Sequence, residues 1–206
     1  PSGIARDVAS FPYDVIDSDE ARVLARGNPV SFLHVGKPEI DLDPAIDVHD
    51  DRVYAKAREN LTRFVTDGTL TRDAKPCLYL YQQKMGEHAQ VGLVALCRVS
   101  EYENGLIKRH EFTRKDKEDD RTRHVTECNA NAEPVFLTYR SVRDIDTIVD
   151  RATSHAPVID IVTSDDIGHT LWVLDDDRDI EALVTLFAQV PALYVADGHH
   201  RTAAAV

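Results

Sequence analysis

The chain has 206 residues, of which 43% are hydrophobic and 29% charged, and this composition is typical of a globular domain and excludes a disordered one. The formal net charge is −12, which argues against general binding to DNA or RNA, because such binding depends on neutralising phosphates with Lys and Arg. No apolar run approaches the roughly 20 residues that span a bilayer, and the three cysteines form no CxxC pair, so we expect free thiols in a cytoplasmic protein.

The first fifty residues are rich in turns. Asp17 or Ser18 is expected to cap a short helix that runs to Arg26 and is closed by Gly27. Residues 30–35 are predicted to form a strand. Residues 37–47 contain two prolines among acidic residues and are predicted to form a loop.

The middle of the chain begins with a clear helix. Asp50 or Asp51 is expected to open it, and Gly68 to stop it. Its predicted apolar face contains Val53, Ala57, Leu61 and Phe64. Residues 77–83 and 91–99 then predict an antiparallel hairpin with a longer loop around residues 85–87.

The second half alternates helices and strands. Residues 115–128 predict an exposed helix, residues 134–139 a strand, and Ser141 is expected to cap the next helix. Residues 157–163 and 169–174 predict a pair of strands that turns at residues 166–168. The pattern as a whole indicates a mixed α/β (α+β) fold.

The last unit places a helix before a short buried strand. Asp175 or Asp176 is expected to cap this helix, and Pro191 to end it. Its predicted apolar stripe contains Ile180, Leu183, Val184 and Phe187. A buried strand at residues 192–196 leads into a loop at residues 197–201 and an Ala-rich helix start. Because a domain rarely ends one turn into a helix, we expect the parent protein to continue beyond Val206.

The loop Asp197-Gly198-His199-His200-Arg201 carries the clearest chemical pattern. The first turn of a helix has unpaired N–H groups and the positive end of the macrodipole, so it attracts anions. Gly198 allows a close backbone approach or a positive φ, and Arg201 offers a bidentate contact to phosphate. The two histidines can donate hydrogen bonds or transfer protons near neutral pH. The alternative is a plain strand-to-helix turn in which Asp197 only caps the helix.

This loop resembles the phosphate-binding motif of the ParB/sulfiredoxin superfamily, particularly its free-serine kinase branch. The whole chain also resembles a widespread bacterial and archaeal family of unknown function that is related to the superfamily. The matching segments run nearly end to end. They are residues 12–16, 28–35, 109–113 with Asp120 and Arg121, and 197–201.

The resemblance implies that Gly198, His199, His200 and Arg201 contact the phosphates of ATP or ADP, with Mg²⁺ screening the charge. It also implies a carboxylate base towards a substrate hydroxyl, and Glu111 is the best match. Sulfiredoxins carry a catalytic Cys where His199 stands, so that chemistry is not expected here. ParB proteins add a basic DNA-binding region that this acidic chain lacks.

The resulting prediction is a ParB/sulfiredoxin-like core at residues 101–206 with an N-terminal α/β extension at residues 1–100. The expected activity is transfer of a phosphoryl group to a small hydroxylated metabolite such as serine, with Glu111 and Asp197 as catalytic residues. Two alternatives remain open at this point. One is a noncatalytic nucleotide-binding regulatory module, and the other is a phosphoesterase or nuclease. The sequence does not define the oligomeric state.

Other clusters of polar residues favour structural roles. A protein metal site is not expected, because Asp197, His199, His110 and His124 have no diagnostic metal-binding spacing. Residues 175–177 are expected to cap a helix, and residues 116–120 to form a solvated face. No GxSxG, Walker or GxGxxG motif occurs.

Overall fold

The computed structural model describes residues 2–206 and confirms a mixed α/β fold. The helices are α1 (Ala5–Val8), α2 (Ser18–Leu24), α3 (Leu33–Gly36), α4 (Asp51–Thr66), α5 (Val99–Glu103), α6 (Lys115–Cys128), α7 (Arg143–Thr153), α8 (Asp177–Phe187) and α9 (His199–Ala204). The strands are β1 (Leu78–Met85), β2 (His88–Val94), β3 (Ile107–Lys108), β4 (Phe136–Thr138), β5 (Ile159–Val162), β6 (Gly168–Leu174) and β7 (Leu193–Asp197).

The larger sheet has the strand order β2-β1-β6-β5, and all its neighbours are antiparallel. Leu80 in β1 lies opposite Trp172 in β6, and both side chains are buried. They pack with Ile145 of α7 and Leu183 of α8 in the main hydrophobic cluster. Burying the apolar stripes of these two helices stabilises this half of the molecule, because each fully buried large aliphatic side chain contributes about 1.5–3 kcal/mol.

The larger sheet contains strands from both predicted parts of the chain, residues 1–100 and residues 101–206. Strands β1 and β2 precede residue 100, whereas β5 and β6 follow it, and β1 pairs with β6 over seven residues from Leu78↔Leu174 to Lys84↔Gly168. Residues from both parts therefore share one hydrophobic cluster. The division at residue 100 stays a prediction.

The smaller sheet has the order β3-β7-β4, with β7 in the centre. Strand β3 runs parallel to β7, whereas β4 runs antiparallel to it. Val195 in β7 is buried, as expected for a central strand, while Tyr194 is 43% exposed. Helix α6 packs against both α4 and α9, which connects the N-terminal helices to the end of this sheet.

Side-chain caps start three of the predicted helices. Asp17 accepts hydrogen bonds from the backbone N–H groups of residues 19 and 20 at the start of α2. Asp50 accepts one such bond, from residue 52, at the start of α4, and Asp176 accepts two, from residues 178 and 179, at the start of α8. Gly27 and Gly68 follow α2 and α4 with φ of 77° and 79°, a left-handed conformation that glycine adopts without strain.

Three local predictions are wrong. The strand predicted at residues 30–35 is a turn followed by helix α3, because a short apolar run does not distinguish a strand from a helix. The hairpin between β1 and β2 has a short turn rather than a longer loop, since Met85 pairs with His88. Ser141 does not cap α7; its hydroxyl donates to Asp146 instead, and Val142 is the N-cap residue.

Two predictions of burial also need correction. Val184, assigned to the apolar stripe of α8, is 61% exposed. The helix contributes Leu183, Leu186 and Phe187 to the main hydrophobic cluster instead. Helix α6 is not exposed on all sides, since His124 and Cys128 are buried against the N-terminal helices.

The three cysteines are free. Cys128 is buried, but Cys97 is exposed although it lies in an apolar run, because β2 ends at Val94 and the following residues leave the sheet. Within residues 2–206, every helix is too short or too polar to cross a membrane. The cytoplasmic location stays a prediction.

Candidate functional site

The parallel pairing of β3 and β7 creates the candidate site. Lys108 lies opposite Tyr194, so both chains leave the sheet at the same edge. The chain that leaves β3 carries His110 and Glu111, and the chain that leaves β7 carries Gly198 and His199. Segments that are far apart in the sequence therefore meet beyond the carboxyl ends of two parallel strands, where ligand sites are common in α/β proteins.

The bend between β7 and α9 depends on Gly198, which has a φ of 85°. Its carbonyl accepts the first helical hydrogen bond, from the backbone N–H of Thr202 at 2.8 Å. Arg201 folds back over the bend, and its guanidinium donates to the Pro134 carbonyl at 2.7 Å and to Asp197 at 2.5 Å. The Arg201 side chain is only 13% exposed. It therefore fastens the loop to the segment before β4.

His199 is the best-buried histidine at this edge, with 8% of its surface exposed. Its Nδ1 lies 3.1 Å from Oε1 of Glu111. The ring of His110 meets the ring of His199 edge-on, with the centroids 4.5 Å apart and an interplanar angle of 86°. His199 Nε2 is buried without a hydrogen-bond partner. A buried polar atom of this kind is uncommon, and its usual partner is a water molecule, an ion or a ligand.

These residues line a pocket of about 280 Å³. Its lining residues are Tyr13, Asp14, His110, Glu111 and residues 196–201. Nδ1 of His200 and Nε of Arg201 are also buried without partners. The lining contains three carboxylates, Asp14, Glu111 and Asp197, against one guanidinium. A cation is therefore favoured beside any anionic ligand in this pocket.

Glu133, Tyr13 and Arg121 form a network of polar side chains next to the pocket. Burial raises the pKa of the Glu133 carboxyl, although Arg201 and Arg121 partly oppose this effect. Burial also raises the pKa of the Tyr13 hydroxyl, despite the guanidinium of Arg121, which lies 4.0 Å from the centre of the Tyr13 ring. Arg121 itself pairs with Asp120 at 2.6 Å. This network supports the floor of the pocket from helix α6.

The structure brings Glu111 together with the loop at residues 197–201, as the resemblance implied, but the two predicted catalytic carboxylates have different partners. Glu111 reaches His199, whereas Asp197 pairs with Arg201 and is 68% exposed at its side chain. His124 lies elsewhere, because its Nε2 is hydrogen-bonded to the Val35 carbonyl at 2.8 Å.

Two predictions about acidic clusters have different outcomes. Residues 175–177 cap a helix, as predicted, through Asp176. Within residues 116–120, however, the Asp120 side chain is only 11% exposed, so it does not belong to a solvated face. Tyr54 donates a hydrogen bond of 2.7 Å to Asp120, which links α4 to α6.

Sequence reasoning assigned no role to Tyr13, Asp14 or Glu133. Residues 12–16 were one of the segments that carry the family resemblance, and this was the available signal for Tyr13 and Asp14. Glu133 had no such signal, because its position depends on tertiary packing against Gly36. A Cβ at residue 36 would lie 3.2 Å from Oε1 of Glu133.

A larger surface groove, of about 580 Å³, lies between α7 and α8. Its lining includes Asp144 and Ile148 of α7 and Arg178 and Leu186 of α8. It lies apart from the strand ends and from the buried unpartnered nitrogen atoms, so we place the candidate site at the smaller pocket.

Comparison with known proteins identifies the family. The model of a family described as "Protein of unknown function (DUF1015)" matches residues 1–206. The chain belongs to this family. Neither the curated proteins nor the solved structures contain a match to this DUF1015 chain. The function therefore has to be argued from the site itself.

Proposed function

We propose that this DUF1015 protein binds a nucleotide at the loop Asp197–Arg201 and transfers a phosphoryl group to the hydroxyl of a small metabolite such as serine. The contact of 3.1 Å between Glu111 and His199 carries the proposal, because it places a carboxylate beside the predicted phosphate-binding loop. The Glu111 side chain is 55% exposed, so an incoming hydroxyl can reach it. We also propose that residues 101–206 are related to the ParB/sulfiredoxin superfamily and its free-serine kinase branch.

In the proposed reaction, His199 and His200 donate hydrogen bonds to the phosphates of ATP or ADP. Arg201 holds the loop in shape and adds positive charge. The substrate hydroxyl attacks the terminal phosphorus, the bond from that phosphorus to the bridging oxygen breaks, and Glu111 accepts the hydroxyl proton. Mg²⁺ that enters with the nucleotide offsets the three carboxylates of the pocket.

One feature of the loop favours a bound ligand over a simple turn. The side chains of His199, His200 and Arg201 each keep a buried nitrogen without a partner. Such atoms cost about 1–3 kcal/mol each when unsatisfied, so three of them at one pocket favour a bound partner there.

The test combines binding with turnover. We expect one of ATP, ADP, CTP or GTP, with Mg²⁺, to raise the thermal midpoint, because a ligand that binds only the folded state stabilises it. His200→Ala should reduce this shift. Glu111→Gln should keep the shift but lower phosphoryl transfer to serine or another hydroxyl acceptor by roughly 10²–10⁴-fold. Glu103→Gln, an exposed residue outside the pocket, is the matched control.

The outcomes separate the three functions. Binding without transfer in the wild type, unaffected by Glu111→Gln, would indicate a noncatalytic nucleotide-binding module. Release of inorganic phosphate with no hydroxyl acceptor would indicate a phosphoesterase. No midpoint shift at millimolar nucleotide, with the protein folded, would remove the nucleotide hypothesis.

A further inference from the structure

We propose that His110, Glu111 and His199 form a binding site for one divalent transition-metal ion, with Zn²⁺ preferred over Mg²⁺. One potential ligand atom from each of these residues lies within 4.8 Å of the other two. This inference goes beyond the proposed kinase activity, because the three side chains would bind the ion without any nucleotide.

The distances fit metal coordination. Two ligand atoms that are each about 2.0–2.2 Å from one ion, at angles between octahedral and tetrahedral, lie about 3–3.5 Å apart. Nδ1 of His199 and Oε1 of Glu111 are 3.1 Å apart, within that interval. The ligand atom of His110 lies within 4.8 Å of the other two, so only a small side-chain movement separates it from the same spacing.

The three ligand residues differ in burial, one being buried and two exposed. His199 is buried at the start of α9 and therefore forms the fixed ligand. His110 and Glu111 are exposed on the segment between β3 and α6, so their side chains can rotate towards it. The small movement that coordination requires thus falls on the two side chains that are free to make it.

The ligand types determine which ion is favoured. Imidazole nitrogen suits Zn²⁺, Fe²⁺, Ni²⁺ and Cu²⁺, whereas Mg²⁺ prefers oxygen ligands and retains several waters. Two histidines with one carboxylate are a set found at catalytic zinc sites, in which a further position stays open for water or substrate.

The electrostatic surroundings also favour a cation. Asp14, Glu111 and Asp197 line the pocket, and Arg201, the one guanidinium there, is already paired with Asp197. The ligand atom of His199 is Nδ1, which faces Glu111, whereas its unpartnered Nε2 lies on the other side of the ring and takes no part in the proposed coordination.

The test is titration of metal-free protein with Zn²⁺, Co²⁺ and Mg²⁺ in the absence of nucleotide. We expect one Zn²⁺ per chain by calorimetry, visible absorption bands from bound Co²⁺, and no competition from equimolar Mg²⁺. His110→Ala should weaken Zn²⁺ binding by at least 10-fold. His88→Ala, which removes an exposed histidine from β2, should leave it unchanged.

Glu111→Gln provides a second variant that keeps the side-chain shape, and it should also weaken Zn²⁺ binding by at least 10-fold. Equal Zn²⁺ affinity in wild type, His110→Ala and Glu111→Gln would overturn the proposal, as would the absence of stoichiometric binding. Because the titration contains no nucleotide, its failure would leave the proposed nucleotide binding intact, and a nucleotide that fails to bind would leave the metal site intact.

Discussion

The guanidinium of Arg201 lies directly against Gly198, so that a Cβ at residue 198 would be 3.1 Å from Nε and 3.2 Å from Cζ. The same guanidinium is tied to Asp197 and to the Pro134 carbonyl. The backbone bend and the position of the arginine therefore depend on each other. Glycine is needed here for two reasons, its φ of 85° and the lack of space above it.

Gly198→Ala should lower the free energy of unfolding by about 1–3 kcal/mol, because it combines backbone strain with a displaced Arg201. Gly27→Ala is a matched control, since Gly27 has a φ of 77° but no atom within 4 Å of its Cβ position. Urea unfolding of both variants should show the larger loss at residue 198. Equal losses would mean that the contact with Arg201 adds nothing beyond the strain.

Arg201→Lys should restore little of the stability lost in Arg201→Ala. The guanidinium binds two acceptors on different segments, and a single ammonium cannot reproduce that fork. We expect both variants to lose about 1–3 kcal/mol in urea unfolding. Arg52→Lys is the control, because Arg52 pairs with Asp50 at the surface, and its replacement should leave the urea midpoint nearly unchanged. A stable Arg201→Lys protein would indicate that charge alone holds the loop.

The sequence predicted best those elements for which two signals agree. Helices α4 and α8 each combine an aspartate cap with an apolar period, and the structure has both. Residues 30–35 offered only a short apolar run, and the structure has helix α3 there. Val184 was also predicted wrongly, since it is exposed. Periodicity shows which side of a helix is apolar, but it does not show how wide the buried part of that side is.

Some residues of the candidate site were predicted from the sequence and others were not. The loop at residues 197–201 was found from its own residues, and Glu111 from a family resemblance. The proximity of His110 to His199 follows from the parallel pairing of β3 with β7. Strand β3 has only two residues, so no sequence pattern reveals it. A metal-binding group assembled across such a pairing has no recognisable spacing, so it could not be predicted from the sequence.

Leu80→Ala should be among the most destabilising substitutions in the larger sheet. Leu80 is fully buried against α7 and α8, and its truncation leaves a cavity that costs about 2–5 kcal/mol. Leu96→Ala removes the same atoms from a side chain that is 98% exposed, and it should change the free energy of unfolding by about 0.5 kcal/mol or less. Chemical denaturation at one pH checks both. A large effect at Leu96 would show that this leucine is covered in solution.

The pair formed by His34 and Asp41 predicts a specific dependence of stability on pH. Nδ1 of His34 lies 2.8 Å from Oδ1 of Asp41, and its Nε2 lies 3.0 Å from the Asn28 carbonyl. The hydrogen bond to Asp41 raises the pKa of His34 above its usual value, although burial opposes this. Burial alone would raise the pKa of Asp41, but hydrogen bonds from His34 and Asn60 outweigh it and lower that pKa.

A histidine whose pKa is raised in the folded state adds stability that is fully present below the unfolded pKa of about 6.5. That stability is lost as the pH rises through the folded pKa, with a slope of at most about 1.4 kcal/mol per pH unit for one proton. Burial lowers the pKa of His124, so its contribution changes below pH of about 6.5 instead, and the two effects occupy different ranges.

His34→Gln should therefore flatten the decline in the free energy of unfolding above pH of about 6.5, because it removes the proton that the folded state holds more tightly. Urea unfolding at several pH values from 6 upwards measures this, and His88→Gln, at an exposed position in β2, serves as the control. Asp41→Asn should have the same flattening effect as His34→Gln, since it removes the carboxylate that raises the pKa of His34. If the decline persists in both variants, a group other than His34 is responsible for it.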